Sequence, residues 1–589
     1  MKRTALTALR ACAALCAALC AGLCAASCGG THAAHLQHPD SLSARSALGM
    51  VTSATPEATE AGLYVLRKGG NAVDAAVAVG FALAVSYPQA GNLGGGGFMV
   101  IRMADGRTTT IDFREKAPAA ATRTMFLDST GAFVPERSLL GALASGVPGS
   151  PAGLLYALER YGTRSRRDVM APAIALAELG IVVHPRLAED LHEKYQDFRN
   201  FASTLRAVCP EHTAGTTTRA AGTIWIQSDL AKTLRRINDS GAAGFYSGAT
   251  AEMIVRQMKH SGGLITADDL LAYRPAERAP VIGTYRGDTV ITMPPPSSGG
   301  ALLVEMLNMM EPCRFDTIGY HSAEHAHLLA EIMRRAYADR AEHFGDPDFY
   351  TVPVTGLTSK EYARARAATI TPHATASSEI GHGDPSPYNH ESQQTTHFSV
   401  VDRFGNCVST TMTLNASFGS KLVVDGAGFF LNNEMDDFSA KPGAPNMYGL
   451  LGNEANAVAP GKRMLSSMTP TIVTHGGRPW LVLGTPGGST IITTVLQMIN
   501  NIGDYGMSLS EAVAAPRIHH QWRPDTLWYE NGAFSAATID TLSRNGYTTV
   551  NRHEPSGRVD AIEIEYNADG TRTLRGFSDG RGYGAARGE

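Results

Sequence analysis

The chain lacks any excess of charge. Its 51 Lys and Arg stand against 55 Asp and Glu, a formal net charge of −4. No basic run and no interleaving of basic with aromatic side chains occurs, which leaves no electrostatic footprint for a nucleic-acid partner. Cysteine is also sparse. Five of the eight (Cys12, Cys16, Cys20, Cys24 and Cys28) recur every fourth residue in the first 28 positions, where Cys packs as a small hydrophobe. The other three, Cys209, Cys313 and Cys407, are too scattered for a disulfide framework. Without C-x-x-C or H-E-x-x-H spacing they also suggest no metal site. There are no internal repeats and no long low-complexity tracts. What the chain has in quantity is length, 589 residues, and glycine, 61 of them. That length implies two to four domain-sized units or one large interleaved core, and the glycine implies tight turns and close backbone approaches.

Residues 1–28 read as an export signal: Lys2 and Arg3, then an apolar run, then small residues. The run is also just long enough to span a membrane. Ala25-Ala26-Ser27-Cys28 resembles a bacterial lipoprotein processing site, with Ala25 where Leu is usual. Lipidation of Cys28 and simple signal removal both remain open, so the chain is expected to be exported, periplasmic or membrane-anchored. Residues 29–48 read as a linker.

Beyond it, 56–70 reads as a helix ended by glycine, and 71–88 as a buried helix capped by Asn71 with Asp74 three residues on. The glycine run 92–97 turns into a hairpin of strands 98–103 and 108–115, with Arg114 near its end. Residues 150–370 are mostly helical in pattern. Residues 371–394 read as a solvated loop. After it strands dominate: THFSVVD, CVSTTMTL, GFFLNNEM, TPTIVTH and WLVLGTP, with a Pro/Gly/Asn-rich loop at 439–462 and a helix at 491–502. Strands in runs with helices at the flanks predict an α/β layered sandwich.

The stretch ESQQTTHFSVVD (391–402) carries the chemistry. A cuttable loop ends at Gln394, and a strand starts at Thr395. If DRFGN (402–406) is a five-residue hairpin loop, Val401 faces Cys407 and Thr395 faces Thr413, within hydroxyl reach. Paired threonines also simply suit strands. The functional alternative is specific: a Thr hydroxyl is a weak nucleophile, but at a chain's N-terminus its own α-amine, of pKa about 7.7–8.0, serves as the base. Cleavage between Gln394 and Thr395 would create that arrangement.

These motifs, with TLNASFGS, LNNEMDDFS, YGLLGNEANAVAPGKRMLSSMTPTIV and GTPGGSTI, resemble those of the gamma-glutamyltranspeptidase family. GNAVDAAVA (70–78), GNLGGGGFM (91–99), DFREKAP (112–118), GVPGSPAGL (146–154) and PSSGG (296–300) extend the resemblance over nearly the whole chain after the signal. The resemblance implies the N-terminal-nucleophile fold, a four-layer αββα sandwich. It implies a large subunit, 49–394, and a small one, 395–589, held as a heterodimer, with no cofactor and no metal. Thr395 would be the nucleophile of both self-cleavage and turnover, with Thr413 hydrogen-bonded to it. Gly487 and Gly488 would present backbone N–H groups to the oxyanion. Arg114, Ser466 and Ser467 would hold the substrate's α-carboxylate. Asn415, Glu434 and Asp437 would hold its α-ammonium, and Tyr448 in the 439–462 lid would cover the pocket. His390 and His397 receive no role. The one departure noted is Gly580, where the family usually has Pro after Ser-Asp.

The implied activity is hydrolysis of glutathione and other γ-glutamyl compounds, or transfer of the glutamyl group to an amino acid or dipeptide. A glutaryl-cephalosporin acylase of the same fold and an inactive exported binding lipoprotein are the alternatives. Wild-type protein is expected to run as two chains on a denaturing gel, and Thr395→Ala as one inactive chain. An uncut yet active wild type would rule out the N-terminal nucleophile.

Overall fold

The computed structural model describes residues 42–210, 213, 215–386, 397–553 and 555–589. The expected export signal, Cys28, the expected cleavage residue Gln394 and the expected nucleophile Thr395 lie outside the described residues.

Two seven-stranded antiparallel sheets form the centre. One runs in the spatial order β1 (Ser43–Ser46), β13 (Arg572–Ser578), β12 (Asp560–Tyr566), β11 (Arg478–Gly484), β10 (Thr471–His475), β7 (Asp288–Thr292), β6 (Val281–Tyr285). The other runs β14 (Ala585–Gly588), β2 (Met50–Ser53), β8 (Phe398–Val401), β9 (Cys407–Thr413), β3 (Gly96–Arg102), β4 (Thr108–Asp112), β5 (Ala276–Arg278). Strand alternation sends Met50, Phe98, Val100 and Val401 of the second sheet toward Ile472, Val482, Ile562 and Leu574 of the first, a buried apolar layer between them. The outer face of the second sheet is covered by α1 (Pro56–Arg67), α2 (Ala72–Ser86), α3 (Ser150–Tyr161) and α4 (Arg166–Leu179). The first is covered by α5 (Gly299–Met310), α6 (Ala323–His343) and α7 (Thr490–Gly503). These are the four layers the family resemblance implies.

The helix at 72–86 is apolar all round and buried along its whole length, so its ends carry its polar contacts. Asn71 and Asp74 form the expected capping box. A second carboxylate is added from far along the chain: Asp402 Oδ2 accepts from Ala72 N at 2.8 Å, while Oδ1 accepts from Phe404 N and Asn406 N at 2.8 and 3.0 Å. The β8–β9 turn is thus tied to the positive end of α2. The turn is the five-residue loop read from sequence, with Val401 paired to Cys407 and Phe398 to Thr410. The pairing of Thr395 with Thr413 concerns a residue outside the described set.

His397 and Ser399 point between the sheets. His397 Nε2 lies 2.5 Å from Asp560 O and Ser399 Oγ donates to Val482 O at 3.0 Å, so this strand is bonded to the opposite sheet as well as its own. Burial holds the His397 imidazole down at about 3, hence neutral.

Several expectations are corrected. Residues 428–435 form no strand: Phe430 and Leu431 make single bridges, and Glu434–Asp437 is one tight helical turn. The side chains of Asn432 and Asn433 take the place of a ladder, bonding Gly94, Gly146 and Ala416 backbone groups. Residues 43–46, within the supposed linker, are an edge strand. The supposedly helical middle contributes β5, β6 and β7. Residues 371–386 are mostly exposed, as expected, but the loop is pinned: Trp522 Nε1 donates to Ser377 O and Ile380 O at 2.9 and 3.0 Å, and Asp525 accepts from Ser377 N at 2.7 Å.

Replacing Asp402 by Ala removes a buried carboxylate from backbone donors on two elements. In a Thr395→Ala background, expected to stay one chain, Asp402→Ala is expected to lower unfolding stability by about 2–4 kcal/mol. An unchanged urea midpoint would show that the tie carries no stability.

Candidate active site

Arg114 follows the hairpin strand β4 and is buried, 1% exposed. A guanidinium so placed must find partners. Nη1 meets Glu434 Oε2 at 2.6 Å and Nη2 meets Asp437 Oδ2 at 2.6 Å. Nε and Nη2 also donate to Met464 O and Leu465 O, at 3.3 and 3.2 Å. The positive and negative poles that sequence reading assigned to two ends of a substrate therefore meet in one ion cluster. The one-turn helix Glu434–Asp437 explains how two carboxylates three residues apart face one guanidinium.

Burial dominates the electrostatics. It pushes Glu434 up to about 7, with Asp437 adding to the rise while Arg114 opposes it. Asp437 is raised by the same desolvation. Glu115, 3.7 Å from Arg114 Nη1, has no hydrogen-bond partner among the described residues, and burial holds it well above the carboxylate range.

Thr413 ends β9. Its Oγ1 accepts from Asn415 N at 2.7 Å, and its hydroxyl also stabilises the Glu434 carboxylate. Gly95 lets the strand end approach: a Cβ there would lie 2.1 Å from Thr413 O. Asn415 has a left-handed φ of 71° and its Nδ2 donates to Asn433 O at 3.0 Å. Its carbonyl accepts from Tyr448 Oη at 2.8 Å.

Tyr448, the expected lid residue, lies against Asn415 and Gly488. Asp436 accepts from Met447 N at 3.0 Å, Asn446 Nδ2 donates to Asp437 Oδ1 at 3.0 Å, and Gln521 Nε2 donates to Tyr448 O at 2.9 Å. The tyrosine ring lies on Gly488, where a Cβ would fall 2.6 Å from it. Gly487 and Gly488 join β11 to the N-terminal end of α7, Gly488 with φ 58°. Ser466 and Ser467 run beside the 297–298 segment: Ser466 N donates to Pro296 O at 2.8 Å, and Ser298 N to Ser466 O at 2.9 Å. Ser467 Oγ accepts from Arg340 Nη2 at 3.1 Å.

The structure thus links Arg114, Glu434, Asp437, Thr413, Asn415, Tyr448 and Gly488 by direct contact. Ser466 and Ser467 adjoin through the Met464–Leu465 carbonyls. Sequence reading missed Glu115, Arg340, Asp436 and Gln521. Glu115 and Asp436 sit inside the DFREKAP and LNNEMDDFS motifs, each directly beside a charged residue. Arg340 and Gln521 carry no local signal, because only the fold brings them here.

The gamma-glutamyltranspeptidase family model matches residues 58–589. The glutathione hydrolase proenzyme of Escherichia coli (strain K12) is 50% identical over 538 residues, 91% of this chain and 91% of that protein. A gamma-glutamyltranspeptidase structure from Helicobacter pylori is 45% identical, with TM-score 0.55 over 61% of this chain and 97% of that one. A cephalosporin acylase structure from Bacillus halodurans superposes with TM-score 0.81 over 96% of this chain and 99% of that one, at 26% identity.

The contact of Tyr448 with Gly488 predicts that Gly488→Ala unseats the lid. Protease cleavage within 439–462 is expected to quicken about tenfold, since a Cβ at this φ and distance costs more than 1 kcal/mol. An unchanged cleavage rate would mean that the ring does not hold the loop.

Proposed function

The chain belongs to the gamma-glutamyltranspeptidase family, glutathione hydrolases and gamma-glutamyltransferases made as self-cleaving precursors, and we propose how its own residues divide that work. Cleavage between Gln394 and Thr395 gives Thr395 a free α-amine. That amine takes the hydroxyl proton as Oγ attacks the γ-amide carbonyl of glutathione or a related γ-glutamyl compound. The oxyanion is met by the N–H groups of Gly487 and Gly488. The proton passes to the leaving nitrogen, the C–N bond breaks, and a γ-glutamyl ester on Thr395 remains. Water, or the amine of an amino acid or dipeptide, then attacks the ester and returns the proton to Thr395.

The observation that carries this reading is a buried cluster of both signs: Arg114 at 2.6 Å from each of Glu434 and Asp437, with Tyr448 bonded nearby to Asn415 O. A γ-glutamyl group brings one α-carboxylate and one α-ammonium. Arg114 with Ser466 and Ser467 suits the first; Asn415, Glu434 and Asp437 suit the second. An arriving ammonium favours the ionised form of Glu434, which burial and Asp437 raise to about 7 against the pull of Arg114. Thr413, bonded to Asn415 N and adjoining Glu434, couples the ammonium pocket to the strand that would flank Thr395.

The acylase reading keeps the fold but removes the reason for two acids, because a glutaryl group has no ammonium. The export signal at residues 1–28 adds delivery to the periplasm, as a free protein or anchored through a lipidated Cys28. Among the described residues no helix is long and apolar enough to cross a membrane.

Turnover of matched γ-glutamyl and glutaryl p-nitroanilides tests the assignment. Wild type is expected to prefer the glutamyl compound in kcat/KM by up to about 10⁴-fold. Asp437→Asn is expected to weaken glutamyl turnover and narrow that gap. Equal values in wild type would move the protein to the acylase branch.

A further inference from the structure

Arg340 lies near the C-terminal end of α6, in the part of the chain before residue 395, and is 5% exposed. Other buried arginines here have acids at hand: Arg114 has Glu434 and Asp437, Arg334 and Arg335 share Glu331, and Arg517 has Asp579. Arg340 has no carboxylate within ion-pair distance among the described residues. Its protein partners are two hydroxyls: Nε donates to Ser298 Oγ at 2.9 Å and Nη2 to Ser467 Oγ at 3.1 Å. Keeping a guanidinium buried on hydroxyls alone is costly unless something else supplies negative charge.

The two hydroxyls differ in what they do next. A guanidinium only donates, so each serine oxygen is engaged as an acceptor and its own hydrogen must go elsewhere. Ser298 Oγ passes its hydrogen to Ser466 O at 3.0 Å, which closes that branch within the protein. No described residue accepts the Ser467 hydrogen. The Ser467 hydroxyl is therefore left as a donor, backed by a full positive charge, beside the Met464–Leu465 carbonyls that Arg114 also touches. Arg114 itself is bonded to both nearby acids, whereas Arg340 feels Asp437 only from beyond ion-pair distance and is free of any direct carboxylate contact among the described residues.

We propose that Arg340 is a positioning residue for the α-carboxylate of the γ-glutamyl donor: it occupies the acceptor side of the Ser467 hydroxyl, directs that hydroxyl's hydrogen to the carboxylate, and stands behind it as the matching charge. This inference rests on the functional reading above. Arg340 acts through Ser467 and does not touch the reacting amide.

The test compares γ-glutamyl p-nitroanilide with the same anilide carrying an α-carboxamide, which keeps the ammonium and the shape but removes the negative charge. Wild type is expected to favour the carboxylate form. Arg340→Gln is expected to cut that preference about tenfold, chiefly through KM, with self-cleavage into two chains retained. Arg340→Lys should restore part of it. Ser467→Ala should reduce the preference by a similar factor, and the double variant should lose little more than either single one. Equal losses on both donors in Arg340→Gln, with the preference intact, would make the residue merely structural and overturn the inference. If Arg340→Gln does not mature, Ser467→Ala decides alone, because an unchanged preference there removes the proposed relay. A wild type that turns over neither donor would sink the functional reading, and this inference with it.

Discussion

The buried charge of Arg114 is the constraint around which the site is arranged. A guanidinium that is 1% exposed cannot be left unpaired, and its two acids come from the other side of the proposed cut. Glu434 and Asp437 can reach it because the chain makes a single helical turn there instead of the strand its alternation suggests. The Asn432 and Asn433 side chains replace the ladder that turn forgoes. The lid depends on the same turn, since Asp436 and Asp437 hold Met447 and Asn446. One ion cluster thus fixes the floor of the site, the start of its cover and a contact between the two prospective subunits.

The hairpin that would carry the nucleophile is held from three directions. Asp402 ties its turn to the N-terminal end of α2, His397 and Ser399 bond it to the opposite sheet, and Phe398 and Val400 pack into the outer core. An N-terminal nucleophile has one covalent link to the fold where an internal residue has two. Positioning must therefore come from the strand behind it, and this strand is bonded at every described position.

Much of this was legible in the sequence where local rules suffice. The capping box at Asn71, the five-residue turn at 402–406 and the helix at 490–503 all follow from short-range patterns, and the hairpin register follows from the turn. Strands β5 to β7 were hidden because they are short and lie among helices, and the strand expected at 428–435 failed because asparagine side chains competed with the backbone. In the site, residue types and motif order pointed to Arg114, Thr413, Glu434, Asp437 and Tyr448, which the fold assembles. They could not point to Arg340 or Gln521. Each is one polar residue in an ordinary stretch, and its meaning comes from what packs opposite it.

Each central sheet interleaves strands from before and after residue 395: β2, β3 and β4 flank β8 and β9, while β6 and β7 continue into β10 and β11. A cut before residue 395 would therefore leave neither product with a complete sheet. Folding has to precede scission, because the pairing of β8 with β2 and of β9 with β3 is assembled while a covalent tether keeps the partners at high effective concentration. Once the tether is gone, two separated fragments would face a bimolecular search with open strand edges exposed to each other and to other chains. The mature protein would then carry a record of how it was made: an assembly whose architecture is reached in one direction only, and whose lifetime is set by how rarely it comes apart.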